Sequence, residues 1–213
     1  MLEGIIFDFD GVIIDTEYEW YPIIMDWFKE THDYDLLMEE YLMCIGSNSN
    51  KMLKIVSEKI GTEITIDDYH DAIFPTFKEN TQKLPAMSGV EALMKDAKAK
   101  GLKIAIATSS PRNHPLTHLK RLDLLEYVDV IVGGDEVENI KPEPDLFNKA
   151  QQLLGIDNDK LIIFEDSLNG LHAGVKAGID VIVVPNRITK HLKFEGHHDM
   201  IESLDHFDLE SYL

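Results

Sequence analysis

Five short apolar runs divide the chain, and each is nearly continuous rather than alternating with polar residues. They cover Gly4–Phe7, Lys103–Ala107, Val128–Val132, Leu161–Phe164 and Val181–Val184. Continuous runs rich in β-branched residues are typical of strands that are covered on both faces, as in a parallel sheet. The pattern therefore predicts a mostly parallel sheet buried between layers of helix.

A helical segment precedes each of the last four of these runs. These segments are predicted over Val90–Ala99, about Pro115–Leu125, Asp145–Leu154 and Leu168–Ala177. Most of them end at a glycine, which adopts the left-handed conformation that closes many helices. A chain that alternates strand with helix folds with right-handed crossovers. The predicted fold class is therefore α/β, with a doubly wound, mostly parallel, Rossmann-like sheet.

The stretch after the first strand breaks this alternation. Residues 16–85 contain no convincing strand, and their apolar residues recur at the three- to four-residue spacing of amphipathic helices. The spacing predicts a first helix around Trp20–Phe28 and further helices over Leu36–Met43, Lys51–Ile60 and Ile66–Thr81. We interpret residues 16–85 as an α-helical cap inserted into a catalytic core of residues 1–15 and 86–213.

The chain is strongly acidic. Its 213 residues include 20 Lys and Arg against 39 Asp and Glu, a formal net charge of −19. Such a surface repels a nucleic-acid backbone, so we expect no nucleic-acid partner. It also repels phosphate esters, so any phosphate site must carry its own positive charge. A metal ion and one well-placed lysine would supply that charge.

Cysteine content and hydropathy indicate a cytoplasmic location. Cys44 is the only cysteine and cannot form an internal disulfide, which suits a reducing compartment. No stretch approaches the roughly 20 apolar residues needed to cross a bilayer, and the first apolar run is too short for a signal peptide. We therefore expect a cytoplasmic protein with no membrane partner, and a monomer as the default.

Polar clusters follow four of the predicted strands. They are Asp8–Val12, Thr108–Ser110, Lys141–Pro144 and Glu165–Gly170. The carboxyl ends of parallel strands meet at one edge of the sheet, where ligands bind in doubly wound folds. Each cluster has a simpler explanation, since the serines and Asp166 could cap helices and Lys141 could be a solvated surface lysine. Four such clusters at one edge favour a single site.

The residue types in these clusters suit phosphoryl transfer. Four acids would repel one another unless a hard cation lay among them: Asp8, Asp10, Glu165 and Asp166. Oxygen ligands suit Mg²⁺ better than zinc. A hydroxyl, backbone N–H groups and one ammonium could then hold a phosphoryl group against that metal. The clusters therefore predict a magnesium site, and the predicted binding partner of the protein is a small phosphorylated metabolite.

In their order along the chain, the four clusters resemble the motifs of the haloacid dehalogenase superfamily. The matching sequences are Asp8-x-Asp10-Gly11-Val12, Thr108-Ser109-Ser110, Lys141-Pro142 and Glu165-Asp166-Ser167-x-x-Gly170. The resemblance extends to Asp15-Thr16-Glu17 and to Ala173–Gly178, and spans nearly the whole predicted core. Within this superfamily, the sequence is similar to the branch that contains β-phosphoglucomutase and sugar-phosphate phosphatases.

This resemblance implies a role for each motif residue. Asp8 would attack phosphorus and form an aspartyl-phosphate, and Asp10 would protonate the leaving oxygen and then activate water. Thr108, the Ser109 backbone and Lys141 would hold the phosphoryl oxygens. The implied magnesium ligands are Asp8, the backbone carbonyl of Asp10, and Asp166, with Glu165 organising the water ligands.

The same motifs serve phosphatases and mutases, so the predicted cap has to decide between them. Mutases of this branch carry a histidine soon after the first acidic motif and a cap arginine that grips a distal phosphate. Here Trp20 takes the first position, and the loop Ile45–Lys51 contains no arginine. We therefore predict a magnesium-dependent phosphatase for a small phosphate monoester. A β-phosphoglucomutase-type mutase is the alternative, and a non-catalytic binding protein is a further one.

Three residues of the predicted cap are candidate substrate contacts by position alone: Glu17, Trp20 and Asn48. Trp20 could stack on an apolar face of the substrate or belong to the cap's own core. His114 and His118 lie four residues apart. With no obvious third ligand, we interpret them as a solvated helix face rather than a zinc site.

Overall fold

The computed structural model describes all 213 residues and contains one six-stranded sheet in which every pairing is parallel. The strands are β1 (Gly4–Phe7), β2 (Lys103–Ala107), β3 (Val130–Val132), β4 (Leu161–Glu165), β5 (Asp180–Val183) and β6 (Asp199–Met200). Their order across the sheet is β3-β2-β1-β4-β5-β6. The chain therefore starts at the centre, adds two strands on one side, and crosses over to add three on the other.

The predicted α/β fold class is confirmed, and the strand order determines where a crevice forms. Phe7 of β1 lies opposite Ile106 of β2 on one side and Phe164 of β4 on the other. The direction of strand addition reverses between β1 and β4, so a crevice opens beyond their carboxyl ends. Asp8 follows β1 and Asp166 follows β4. Both acids therefore emerge at this switch point.

Eight α-helices complete the fold. They are α1 (Thr16–His32), α2 (Met38–Tyr41), α3 (Asn50–Ile60), α4 (Ile66–Thr81), α5 (Val90–Ala99), α6 (Asn113–Arg121), α7 (Asp145–Leu154) and α8 (Leu168–Ala177). The buried apolar residues of α5 and Leu119 of α6 belong to one hydrophobic cluster with the sheet, and the buried apolar residues of α7 and α8 belong to a second. Helices thus cover both faces of the sheet, which explains the continuous apolar strands.

Helices α1–α4, here called the helical segment (residues 16–81), have a hydrophobic cluster of their own. Trp20 of α1 stacks on Phe77 of α4 with ring centroids 3.5 Å apart. One residue of this cluster, Ile188, comes from the loop after β5. The segment thus packs as a separate layer that contacts the sheet side through a loop. No helix of the structure combines the length and apolar character needed to span a bilayer.

Some elements differ from their predicted bounds. Only Met38–Tyr41 is helical within the predicted Leu36–Met43. The helix predicted to reach residue 125 ends at Arg121, because Asp123 takes a left-handed conformation with φ +56°. Strand β6 was not predicted at all, since its two residues are exposed and carry no hydrophobic signal.

Candidate active site

Lys141 is fully buried between two carboxylates at the crevice. Its Nζ lies 2.5 Å from Asp8 Oδ1 and 2.6 Å from Glu165 Oε1. Burial by itself would lower the pKa of Lys141, but the two carboxylates outweigh it and raise that pKa above its ordinary value. Lys141 is therefore a fixed cation at the sheet edge, and the simpler explanation of a solvated surface lysine is wrong.

Glu165, the last residue of β4, has a full set of hydrogen-bond donors. Its Oε2 accepts hydrogen bonds from the backbone N–H groups of Asp166 (2.9 Å) and Ser167 (3.1 Å) and from Ser167 Oγ (3.0 Å). Gly170 leaves the space for this carboxylate, because a Cβ there would lie 1.8 Å from it. Since its other oxygen binds Lys141, Glu165 holds the lysine and the loop in place.

Three buried acids fit a bound cation. One oxygen each of Asp8, Glu165 and Asp166 lie within 4.8 Å of one another. Asp166 Oδ2 accepts a hydrogen bond from Asn186 Nδ2 at 2.6 Å, whereas Asp166 Oδ1 is buried without a hydrogen-bond partner. An unpartnered buried carboxylate oxygen is costly, and an all-oxygen donor set is what Mg²⁺ prefers. The residues present therefore suit magnesium.

The electrostatics of these acids indicate the same requirement. Burial raises the pKa of Asp8 above its ordinary value, and Lys141 opposes that rise. Burial also raises the pKa of Asp166 well above its ordinary value, and the neighbouring carboxylates of Glu165 and Asp8 add to the shift. A divalent cation among these oxygens would favour the ionised carboxylates and lower both pKa values.

The turn after Asp10 brings main chain against the same acids. Gly11 has a φ of +86°, and a Cβ at this position would lie 2.3 Å from Asp166 Oδ2. Any other residue would both strain the backbone and displace the carboxylate. The glycine thereby lets the main chain of the first motif pass directly beside Asp166.

Asp10 accepts hydrogen bonds from four side chains. They are Thr16 Oγ1 (2.8 Å) and His114 Nε2 (2.9 Å) on Oδ1, and Ser110 Oγ (2.8 Å) and Thr108 Oγ1 (3.3 Å) on Oδ2. Burial would raise the pKa of Asp10, but His114 and the hydroxyl groups outweigh it and lower the pKa below its ordinary value. Asp10 is therefore an ionised carboxylate that joins the first two motifs. Because Ser110 donates to it, this serine does not cap α6.

The loop between α2 and α3 lies across the edge of the sheet. Three hydrogen bonds join it to two core loops and to the first turn of α8: Ser109 Oγ to the Gly46 carbonyl (2.9 Å), Ser47 Oγ to the Lys141 carbonyl (2.6 Å), and Asn169 Nδ2 to the Ile45 carbonyl (2.7 Å). A Cβ at Gly46 would lie 2.1 Å from Ser167 Oγ. The helical segment thus reaches the crevice through this loop, and the close approach requires glycine.

Glu17 lies on the helical segment close to the acids of the crevice. Its side chain is buried, and its Oε2 accepts a hydrogen bond from Tyr41 Oη at 2.9 Å. Burial, with a smaller contribution from the charge of Asp10, raises the pKa of Glu17 to about 8. Of the three candidate contacts in this segment, Glu17 is the one that the structure places beside the crevice.

The other two candidates have different surroundings. Trp20 stacks on Phe77 and belongs to the packing of the helical segment, which is the second of its two interpretations. Asn48 is exposed, and its Oδ1 accepts a hydrogen bond from the backbone N–H of Asn50 at 3.0 Å. Asn48 therefore stabilises its own loop in this conformation.

The interpretation of His114 and His118 as a solvated helix face is wrong. His118 is 2% exposed, and His114 binds Asp10. The four-residue spacing shows that two side chains share a helix face, but it does not show what that face packs against. Asn186, which binds Asp166, was also missed. The available signal was a polar residue soon after the fifth apolar run, equivalent to those used at the other strand ends.

Comparisons with known proteins point in the same direction. A sequence model of haloacid dehalogenase-like hydrolases matches residues 5–184. YhcW of Bacillus subtilis, named as a phosphatase without a stated substrate, is 34% identical over 210 residues, which cover 98% of this chain and 95% of that protein. The phosphorylated carbohydrates phosphatase of Thermotoga maritima is 32% identical over 188 residues, covering 85% and 84%. The crystal structure of CbbY from Rhodobacter sphaeroides in complex with phosphate has a TM-score of 0.77 at 26% identity, covering 97% and 96%.

Proposed function

Since the chain belongs to the haloacid dehalogenase-like hydrolase family, we propose that it is a magnesium-dependent phosphatase acting through an aspartyl-phosphate on Asp8. The observation that carries this proposal is the buried Asp8–Lys141 pair beside the unpartnered Asp166 Oδ1. A nucleophilic carboxylate, a fixed cation and a metal-binding carboxylate in one crevice are the groups that phosphoryl transfer requires.

The proposed magnesium ligands are Asp8, the backbone carbonyl of Asp10, and Asp166. When bound, the ion supplies positive charge to the oxygens of the transferred phosphoryl group. Asn186 occupies one oxygen of Asp166 at 2.6 Å and leaves the other available as a ligand. Such an outer hydrogen bond fixes the orientation of a ligating carboxylate.

Asp8 and Asp10 divide the chemistry between them in this proposal. One Asp8 oxygen bonds to phosphorus while the bond from phosphorus to the leaving oxygen breaks. Asp10, which is ionised in the free protein, takes up a proton when the anionic phosphate ester binds beside it and gives that proton to the leaving oxygen. Asp10 then takes a proton from water, whose oxygen bonds to phosphorus as the Asp8–phosphorus bond breaks. Lys141 Nζ lies 2.5 Å from Asp8 Oδ1 and so orients the nucleophilic carboxylate.

Three groups are proposed to hold the phosphoryl oxygens. They are the Thr108 hydroxyl, the Ser109 backbone N–H and the Lys141 ammonium. Thr108 is 1% exposed, and its Oγ1 accepts a hydrogen bond from the backbone N–H of Ser110 at 3.1 Å. The loop is therefore ordered before a ligand arrives. Preorganised donors of this kind stabilise developing charge without reorganisation during the reaction.

We propose further that residues 16–85 are a cap on a core of residues 1–15 and 86–213. The loop around Gly46 forms hydrogen bonds with two core loops and with the first turn of α8, and a closed cap excludes water and large partners from the crevice. A small ester such as a sugar phosphate therefore suits this site, in keeping with the name of the Thermotoga maritima relative. Glu17 is the proposed substrate contact from the cap. A cytoplasmic location and a monomeric state remain predictions.

The test is phosphate release from a panel of small phosphate esters by the wild type and by Asp8→Asn, with and without Mg²⁺. Release that needs Mg²⁺ and disappears in Asp8→Asn supports the proposal. The panel includes β-glucose 1-phosphate, with formation of glucose 6-phosphate followed in parallel. Isomerisation of β-glucose 1-phosphate without net phosphate release would show that the protein is a mutase and not a phosphatase. Release that persists in Asp8→Asn would exclude Asp8 as the nucleophile.

A further inference from the structure

His114 binds the carboxylate to which the proposed function assigns both proton transfers. Its Nε2 lies 2.9 Å from Asp10 Oδ1, and its side chain is 16% exposed. The other partners of Asp10 are hydroxyl groups, which can turn their hydrogen toward another acceptor. An imidazole N–H lies in the plane of its ring and has no such freedom. The direction of the His114 bond is therefore determined by whatever packs against the ring.

Three aromatic neighbours pack against the His114 ring. Phe9 and His118 meet it edge-on, with centroids 5.4 and 4.9 Å away and interplanar angles of 85° and 67°. Phe77 lies nearly parallel to it at 6.1 Å and 29°. Phe9 and His118 belong to the core, whereas Phe77 belongs to α4 of the helical segment. The position of Nε2 consequently depends on both parts of the chain.

His118 connects the same ring to the end of α4. Its Nδ1 accepts a hydrogen bond from Arg121 Nε at 2.8 Å, and Arg121 Nη2 donates to the Thr81 carbonyl at 2.9 Å. Because His118 is 2% exposed, it cannot shift without disturbing these bonds. Contacts thus run without interruption from the last residue of α4 through Arg121 and the two histidines to Asp10.

We propose that His114 is a positioning residue that holds the Asp10 carboxylate at the sheet edge. Because Phe77 of α4 packs against the His114 ring, the position of His114 depends on the placement of α4. The inference rests on the proposed function, because it takes Asp10 as the proton-transfer group. His114 acts through Asp10 and does not touch the substrate. The competing explanation is that His114 only fills space among the aromatic rings.

Two substitutions separate these explanations, because they predict opposite rankings. His114→Gln keeps an N–H donor and loses the ring, whereas His114→Phe keeps a ring and loses the donor. We expect His114→Phe to lower kcat for the sugar phosphate of the panel that the wild type hydrolyses fastest about 10- to 100-fold with KM nearly unchanged, since a misplaced proton-transfer group slows the reaction by that order. His114→Gln should recover most of that loss. A space-filling role predicts that His114→Phe is the more active of the two, which would overturn the inference.

The leaving group provides a second readout that loss of structure alone would not produce. With p-nitrophenyl phosphate as the substrate, the leaving group is p-nitrophenolate, which needs little protonation to leave. Its release in the first turnover should therefore fall less than about three-fold in His114→Phe. If His114→Phe slows the first turnover of p-nitrophenyl phosphate and of the sugar phosphate by the same factor, the inference is overturned. Thermal unfolding of each variant shows whether it is folded.

A third readout keeps failure of the inference distinct from failure of the proposed function. The ¹⁵N resonance of His114 Nε2 reports the contact with Asp10 without any turnover, and we expect it to shift in Asp10→Asn. An unchanged resonance would overturn the inference even in an active enzyme. If the resonance shifts in Asp10→Asn but the wild type hydrolyses no ester of the panel, the proposed function is overturned instead.

Discussion

Lys141 Nζ lies 2.5 Å from Asp8 Oδ1, and the two side chains are 0% and 4% exposed although 133 residues separate them along the chain. A buried ion pair is a weak source of net stability, because desolvation offsets the attraction. Removing one partner is different, since it leaves the other charge buried and uncompensated. The residue that holds the proposed nucleophile is therefore also one on which the stability of the core depends.

From this pair we predict that Lys141→Met lowers the free energy of unfolding by about 3–5 kcal/mol and abolishes turnover. Urea unfolding measures the first effect and phosphate release the second. Lys176→Met is the matched control, because Lys176 pairs with Glu143 at 2.7 Å with both side chains about half exposed. Exposed pairs contribute at most about 1 kcal/mol. Similar losses in the two variants would contradict a special role for the buried pair.

Magnesium should stabilise the protein through Asp166. A ligand at 100 times its Kd stabilises the folded state by about 2.7 kcal/mol, so Mg²⁺ should raise the unfolding temperature of the wild type. We expect Asp166→Asn to lose most of this rise, since Asp166 Oδ1 is a buried carboxylate oxygen without a partner at the acid cluster of the crevice. Calorimetry in the presence of Mg²⁺ or of EDTA measures this rise in unfolding temperature. Asp199→Asn, which removes an exposed acid, is the control. A rise that survives in Asp166→Asn would place the ion elsewhere.

Glu17 should make stability fall as the pH rises. Its pKa increases from 4.5 to about 8 on folding, so the folded state binds this proton more tightly than the unfolded state does. Stability is then lost between these two values, with a slope of at most about 1.4 kcal/mol per pH unit. Glu17→Gln stays neutral and removes this dependence. Relative to the wild type, the variant should become steadily more stable across that range.

Urea unfolding of both proteins at several pH values from 4 to 9 measures this difference. Glu39→Gln removes an exposed carboxylate of the same segment and should run parallel to the wild type. If the Glu17→Gln curve is also parallel to the wild type, then Glu17 is ionised in the folded protein and the expected cost of burying its charge is absent.

The loop at Gly46 should tolerate no side chain. Gly46→Ala places a Cβ 2.1 Å from Ser167 Oγ, whereas a Cβ at Gly61 meets nothing within 4 Å. The two glycines have φ values of +74° and +72°, so both alanine variants carry a similar backbone strain of about 1–2 kcal/mol. We expect only Gly46→Ala to lose kcat/KM beyond about ten-fold, because it forces the loop away from the crevice. Equal effects on kcat/KM would mean that strain alone is responsible.

The strands, most helices and the four motifs could be predicted because their signals are local. A run such as Leu161–Phe164 is apolar at every position, so it needs two covered faces wherever it lies in the sheet. The chain then leaves the core at the strand's end, and Glu165 and Asp166 must lie at the carboxyl edge. Strand β6 was missed because its two residues are exposed and carry no such signal. The predicted helix over Leu36–Met43 shows that an apolar pattern does not determine where a helix begins and ends, since only Met38–Tyr41 is helical.

The sequence by itself thus determined the α/β class, the edge of the sheet that carries the chemistry, and the acids and lysine that lie there. Only the tertiary structure decided which polar side chains face one another across the crevice. The bond between His114 and Asp10 joins residues 104 positions apart, and that between Asn186 and Asp166 joins separate strand ends. Periodicity reports which face of an element is buried. The partner of a buried polar group depends on how elements distant in sequence pack, and no local pattern records that packing.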